Sequence, residues 1–68
     1  MNYQYIFAEN LCRLCDKQHI SINELAEAIG KSPRQISRYR NGQCAHLSLD
    51  TMEKIAEALQ VHLNELLS

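Results

Sequence analysis

From Ser21 to Gly42 the chain reads SINELAEAIGKSPRQISRYRNG, and this stretch constrains the fold more than any other. Ser21 is a good helix N-cap, and Glu24, three residues on, completes a capping box. Leu25, Ala26 and Ile29 then give one apolar face at helical spacing. Gly30 stands where a left-handed residue ends a helix. Ser32 caps a second helix and Pro33 takes its first position, where a missing N–H costs nothing. Gln35 is placed to complete a second capping box with Ser32. Ile36 and Tyr39 form the inner face of this helix, and Asn41-Gly42 stops it.

Two capped helices with a three-residue turn between them match the helix-turn-helix signature, here over residues 21–42. The flanking sequence reads as helices too. Phe7, Leu11 and Leu14 make one inward stripe on a first helix from about Tyr5 to Lys17. Ile20 sits just before the Ser21 cap, where it can staple the entry to the next helix. A fourth helix starts after Ser48, with Asp50 in its first turn and a stripe of Leu49, Met52, Ile55, Ala56 and Leu59. Gln60-Val61 turns the chain, and a last helix from Leu63 to Leu67 closes the bundle. His62 is a poor N-cap, so this helix is expected to be the least stable. With no strand candidate, the expected fold is an all-α, compact bundle of about five short helices. Sixty-eight residues suffice for one small domain over 1–68.

Net charge is −1, but its distribution is uneven. Residues 13–46 carry six cations against Asp16, Glu24 and Glu27, whereas residues 47–68 carry Lys54 against four acids. Between Ala28 and His46 stand Lys31, Arg34, Arg38 and Arg40 with no acid. A basic face on a near-neutral domain is the footprint of a small DNA reader. No apolar run approaches the roughly 18 residues of a membrane span. The N-terminus lacks the basic and apolar regions of a signal peptide. Three cysteines, an odd number, fit a reducing compartment, so a cytoplasmic protein is expected. No phosphate loop and no Ser/His/Asp set is present. Neither an enzyme, a cofactor nor a small-molecule substrate is expected.

The ordered set Leu25-Ala26, Gly30-Lys31-Ser32, Ile36-Ser37, Asn41-Gly42, Ile55-Ala56, Ala58-Leu59, Val61 and Leu66 resembles the Cro/repressor-like DNA-binding domains. These are the xenobiotic-response-element type of bacterial and phage regulators. The resemblance runs from about Phe7 to Leu67. It implies a lambda-repressor-like bundle whose second motif helix enters the DNA major groove. It also implies base contacts from the positions of Pro33, Arg34, Gln35 and Arg38. The helix geometry agrees. With Ile36 and Tyr39 inward, the opposite face holds Pro33, Arg34, Ser37 and Arg38, the two arginines one above the other. A guanidinium can bind guanine O6 and N7 through two parallel bonds. Gln35 can either cap Ser32 or read adenine, and Pro33 offers only apolar contact.

Phosphate contacts are expected from the start of the first motif helix, Ser21 and Ile22, and from Lys31, Ser32, Arg40, Asn41 and Gln43. Three departures from the family pattern stand out. Ile22 replaces a glutamine that usually bonds a phosphate. Cys15 and Arg40 occupy positions where many relatives pair an arginine with a glutamate, so that bridge cannot form. Arg40 then turns to solvent or phosphate, or to another acid such as Glu57 or Asp16. The loop Gln43–Leu47 is slightly longer than the common form, and Leu47 replaces a frequent proline.

Two cysteine readings compete with plain burial. Cys12, Cys15 and His19 follow zinc-like spacing, with Cys44 or His46 as a fourth ligand. Alternatively, Arg40 near Cys15 lowers its pKa and makes a reactive, switchable thiol. Tyr3, Tyr5 and Phe7 read as a flexible or partner-binding end, with Phe7 better suited to the core. The expected partner is double-stranded DNA, bound as a homodimer through residues near Leu63, Leu66 and Leu67. A protein–protein module, antitoxin-like in role, is the alternative.

Overall fold

The structure, a computed structural model, describes residues 3–44 and 47–68. It is all-helical: α1 (Tyr3–Gln18), α2 (Ile22–Ile29), α3 (Pro33–Arg40), α4 (Leu49–Ala58) and α5 (Leu63–Leu67). No strand occurs among the described residues. None of the helices there is long and apolar enough to cross a membrane. α1 runs two residues earlier and one later than its apolar stripe indicates.

The caps form as their residue types dictate. The Glu24 N–H donates to Ser21 Oγ at 3.0 Å, and the Ser21 N–H donates to Glu24 Oε1 at 3.0 Å. Gly30 takes φ 71°, which lets the Lys31 N–H reach back to the Ala26 carbonyl at 2.9 Å. At α3 the Gln35 N–H donates to Ser32 Oγ at 3.3 Å, and the Ser32 N–H to Gln35 Oε1 at 3.1 Å. Ser48 caps α4 by accepting from the Thr51 N–H at 3.1 Å. The His62 imidazole makes no cap bond; instead the His62 N–H donates to Glu65 Oε2 at 2.9 Å. His19 and Gln60, at φ 56° and 58°, end α1 and α4 in the left-handed conformation without a glycine.

Phe7, Leu11, Leu25, Ile36, Ile55, Leu59 and Leu66 are fully buried, so every helix contributes to one core. Ile20 packs against it, as a staple residue should. The α4 stripe differs at its start. Leu49 is 57 % exposed, and Thr51 takes the inner place in line with Ile55 and Leu59. The cause is spacing: 51, 55 and 59 repeat every four residues, which leaves position 49 on the outer side. Thr51 is tolerated there because its Oγ1 accepts from the Ser48 hydroxyl at 3.0 Å.

Two amides on α1 tie the bundle together, and no local pattern signals either. Asn10 Nδ2 donates to the main-chain oxygens of Leu66 at 2.9 Å and Ser68 at 3.2 Å. Gln18 Nε2 donates to the Leu59 carbonyl at 2.7 Å. Each satisfies carbonyls that a helix end otherwise leaves orphaned. α1 thereby fixes the ends of α4 and α5 and leaves α2 and α3 to form the outward motif.

Candidate nucleic-acid interface

Among the helices, α3 packs only on α1 and α2, so one long side of it meets no other helix among the described residues. Ile36 and Tyr39 face inward. Pro33, Arg34 and Arg38 are exposed, while Gln35 and Ser37 are half-buried. Neither Arg34 nor Arg38 has an ion pair or hydrogen-bond partner among the described residues. Two guanidinium groups thus stand a turn apart with their donors free. Gln35 differs: its carbonyl accepts from both the N–H and the hydroxyl of Ser32, at 3.1 and 3.3 Å. Capping is the role it takes here.

The expected phosphate-contacting residues fall into two groups. Asn41 and Gln43 are exposed, and both of their N–H groups donate to the Arg38 carbonyl, at 3.1 and 2.9 Å. This folds the chain after α3 into a tight turn with Gly42 at φ 84°. Lys31 is half-buried and Ser32 exposed beside the start of α3. The start of α2 is electrostatically different. Ser21 is exposed, but both its N–H and its hydroxyl are engaged by Glu24. Those bonds, the one from the Ser21 backbone first, hold the Glu24 carboxyl below its ordinary pKa. A fixed anion therefore occupies the positive end of the α2 dipole. Ile22 beside it is half-buried against the core, and its side chain has no polar group to offer.

Arg40 turns to Asp16, with Nη2 3.6 Å from Oδ1, and its side chain is only 24 % exposed. The Cys12 thiol donates to the Arg40 carbonyl at 3.5 Å. These contacts join α1 to the end of α3 where relatives use an arginine–glutamate bridge. An exposed carboxylate partner makes the ion pair a weak brace.

The reactive-thiol expectation is corrected by the same cluster. Burial pushes the Cys15 thiol above its ordinary pKa, and the Arg40 charge offsets this only in part. Cys44 is likewise raised by burial, and its thiol points at the Tyr39 carbonyl, 3.6 Å away. No group of three or more His, Cys, Asp or Glu side chains capable of holding a metal is found among the described residues. His46, the alternative fourth ligand, lies outside the described residues, as do Ala45 in the same loop and the Tyr3 side chain.

A model of helix-turn-helix domains matches residues 12–66, most of this bundle. The chain belongs to the Cro/C1-type helix-turn-helix family. This is a family of DNA-binding transcription regulators. One relative is the SPbeta prophage-derived uncharacterized HTH-type transcriptional regulator YopS of Bacillus subtilis (strain 168). It is 38 % identical over 53 residues, covering 78 % of this chain and 72 % of YopS.

Solved structures show the same fold inside a larger protein. Hydroxypropylphosphonic acid epoxidase from S. wedmorenis, in complex with fosfomycin, superimposes at a TM-score of 0.93 with 24 % identity, over 100 % of this chain and 36 % of that one. Apo-HppE gives 0.92 at 24 % identity, over 98 % of this chain and 37 % of that one. The chain spans little more than a third of those proteins, and the likeness shows the fold alone.

Proposed function

We propose that this domain is a repressor-like regulator that binds double-stranded DNA sequence-specifically, with α3 in the major groove. The observation that supports it most is the pairing state of the cations. Arg34 and Arg38 stand exposed one turn apart on the outer face of α3, and like Lys31 before it they have no ion pair among the described residues, whereas Arg40 and Lys54 each have a carboxylate within 4 Å. Arg34 and Arg38 read guanines, and Ser37 and the Pro33 ring supply shorter-range contact. Asn41, Gln43, Lys31 and Ser32 hold the phosphates on either side. Residues 1–68 act as one domain, in the cytoplasm, where its DNA lies. The active form is a homodimer on half-sites about 34–36 Å apart. Leu66 is fully buried in the core, so the α5 surface left for a second copy centres on half-buried Leu63 and Leu67.

Selection from randomised duplex DNA at two salt concentrations tests this reading. A pseudo-palindromic motif whose affinity falls steeply with salt is expected, since phosphate contacts release counterions. No enrichment at moderate salt overturns it. That outcome favours the protein–protein module, which Ile22 and the Glu24 anion at the start of α2 already support.

Glu24 yields a second expected result. Replacing it with glutamine keeps an acceptor for the Ser21 N–H and removes a negative charge from the proposed phosphate face. Glu24→Gln is expected to bind duplex DNA several-fold more tightly at low salt, with the gain shrinking as salt is added. Its stability should also lose a pH dependence. The folded-state pKa of Glu24 is depressed, so its cap contribution is present above the unfolded value and lost as pH falls through the folded one. Acidification through that range should lower the melting temperature of wild type more than that of the variant. Equal DNA affinities at low salt would show that no phosphate approaches this helix end.

A further inference from the structure

Tyr5 is 65 % exposed, yet it is not loose. Its ring lies against Gly42: a Cβ built there would stand 3.1 Å from both Cδ1 and Cε1 of the ring. Gly42 therefore meets two needs. Its φ of 84° closes the turn after α3, and its bare Cα receives an aromatic ring from α1. The turn hangs on the Arg38 carbonyl through the N–H groups of Asn41 and Gln43. The Tyr5 ring thus rests one turn of backbone from an outward arginine and between two exposed polar residues. Its hydroxyl makes no hydrogen bond among the described residues. An exposed ring seated on Gly42, beside the turn that follows α3 and with no partner for its hydroxyl among the described residues, matches the chemistry of a phosphodiester contact. Tyrosine hydroxyls are among the side-chain groups that bond phosphate oxygens.

We propose that Tyr5 is a DNA-backbone contact: its hydroxyl donates to a phosphate at the edge of the α3 footprint, carrying the interface from the helix-turn-helix onto α1. This rests on the reading of α3 as the DNA-reading helix. The contact orients the domain and adds affinity without adding sequence preference, because a phosphate is the same at every step.

The test uses the full chain as wild type, Tyr5→Phe, Tyr5→Ala and Arg34→Ala. Binding is measured to the selected site and to a mismatched duplex, with phosphate-ethylation interference on the selected site. Tyr5→Phe keeps the ring on Gly42 and removes only the hydroxyl, so its melting temperature should equal that of wild type. It should bind both duplexes at least about tenfold more weakly, the loss expected for one hydrogen bond to a charged acceptor. The selected motif should be unchanged, and ethylation of one phosphate per half-site, outside the bases read by Arg34, should cease to interfere. If Tyr5→Phe binds as wild type while Arg34→Ala is impaired, this inference alone is overturned. A loss confined to Tyr5→Ala would also overturn it, by assigning the ring a packing role on Gly42. Failure of wild type to bind any duplex would overturn both the inference and the DNA reading beneath it.

Discussion

Arg34→Ala is expected to relax one guanine position in the selected DNA motif and to weaken binding to the best site by about 1–3 kcal/mol, roughly 5- to 150-fold. Binding to mismatched duplex should change far less, because the lost pair of bonds goes to a base edge and not to phosphate. The structure supports an effect near the upper end. Arg34 is exposed in the first turn of α3 and has no carboxylate to leave before it meets DNA. Arg34→Lys should not restore specificity, since an ammonium is a point charge and cannot match the two-acceptor edge of guanine. Arg40 provides the contrast. Its guanidinium lies 3.6 Å from Asp16 and its side chain is largely covered. Arg40→Ala should therefore leave the motif unchanged. Selection and sequencing on the three variants reads these outcomes side by side. An unchanged motif with Arg34→Ala would remove α3 from the role of reading helix.

The helix-turn-helix was legible because its information is local. Ser21 and Glu24, and Ser32 and Gln35, are three residues apart, and each pair forms both of its capping bonds. Gly30 takes the left-handed conformation its position implied. Local patterns also carry a limit. A Glu at the third position of a helix reads equally as a cap and as an anion. The Ser21–Glu24 box stands at the helix end from which phosphate contacts are expected, and the structure adds that the Ser21 N–H holds the Glu24 carboxylate there at 3.0 Å. The α4 stripe misleads at Leu49 because residue type and spacing conflict there: the residue is apolar, but the four-residue spacing of Thr51, Ile55 and Leu59 sets the buried line. The sequence leaves Arg40 solvent, phosphate or an acid such as Glu57 or Asp16, and packing selects Asp16 from α1. Tyr5 is legible in the sequence only as part of a flexible or partner-binding end, because the glycine that receives its ring lies 37 positions away in the chain.

The longest-range device is Asn10, and its removal should cost more stability than the loss of any helix cap. Asn10 is 8 % exposed and reaches across 56 residues to the Leu66 main-chain oxygen. Its own Oδ1 accepts from Arg13 Nη2 at 3.3 Å, which orients the amide so that Nδ2 faces α5. α5 is only five residues long, too short to hold itself, and its N-cap lacks a side-chain bond. Asn10→Ala would leave a buried carbonyl without a donor, at a cost of about 1–3 kcal/mol. In a domain of this size each kcal/mol moves the melting temperature by about 4–8 °C, so a fall of roughly 5–20 °C is expected. Asn10→Asp should be at least as damaging, because it turns an acceptor toward two main-chain oxygens. Thermal unfolding measures the total, and hydrogen exchange of the Leu66 and Leu67 amides shows whether α5 loosens first. The same variant also bears on assembly. If a second copy docks on Leu63 and Leu67, loosening α5 should cost DNA affinity well below the melting temperature. Arg34→Ala would then alter which sequence is bound, and Asn10→Ala how cooperatively two copies bind it. An Asn10→Ala protein that melts as wild type does would remove the amide from its assigned role and leave α5 held by the apolar packing of Leu66, Leu63 and Leu67.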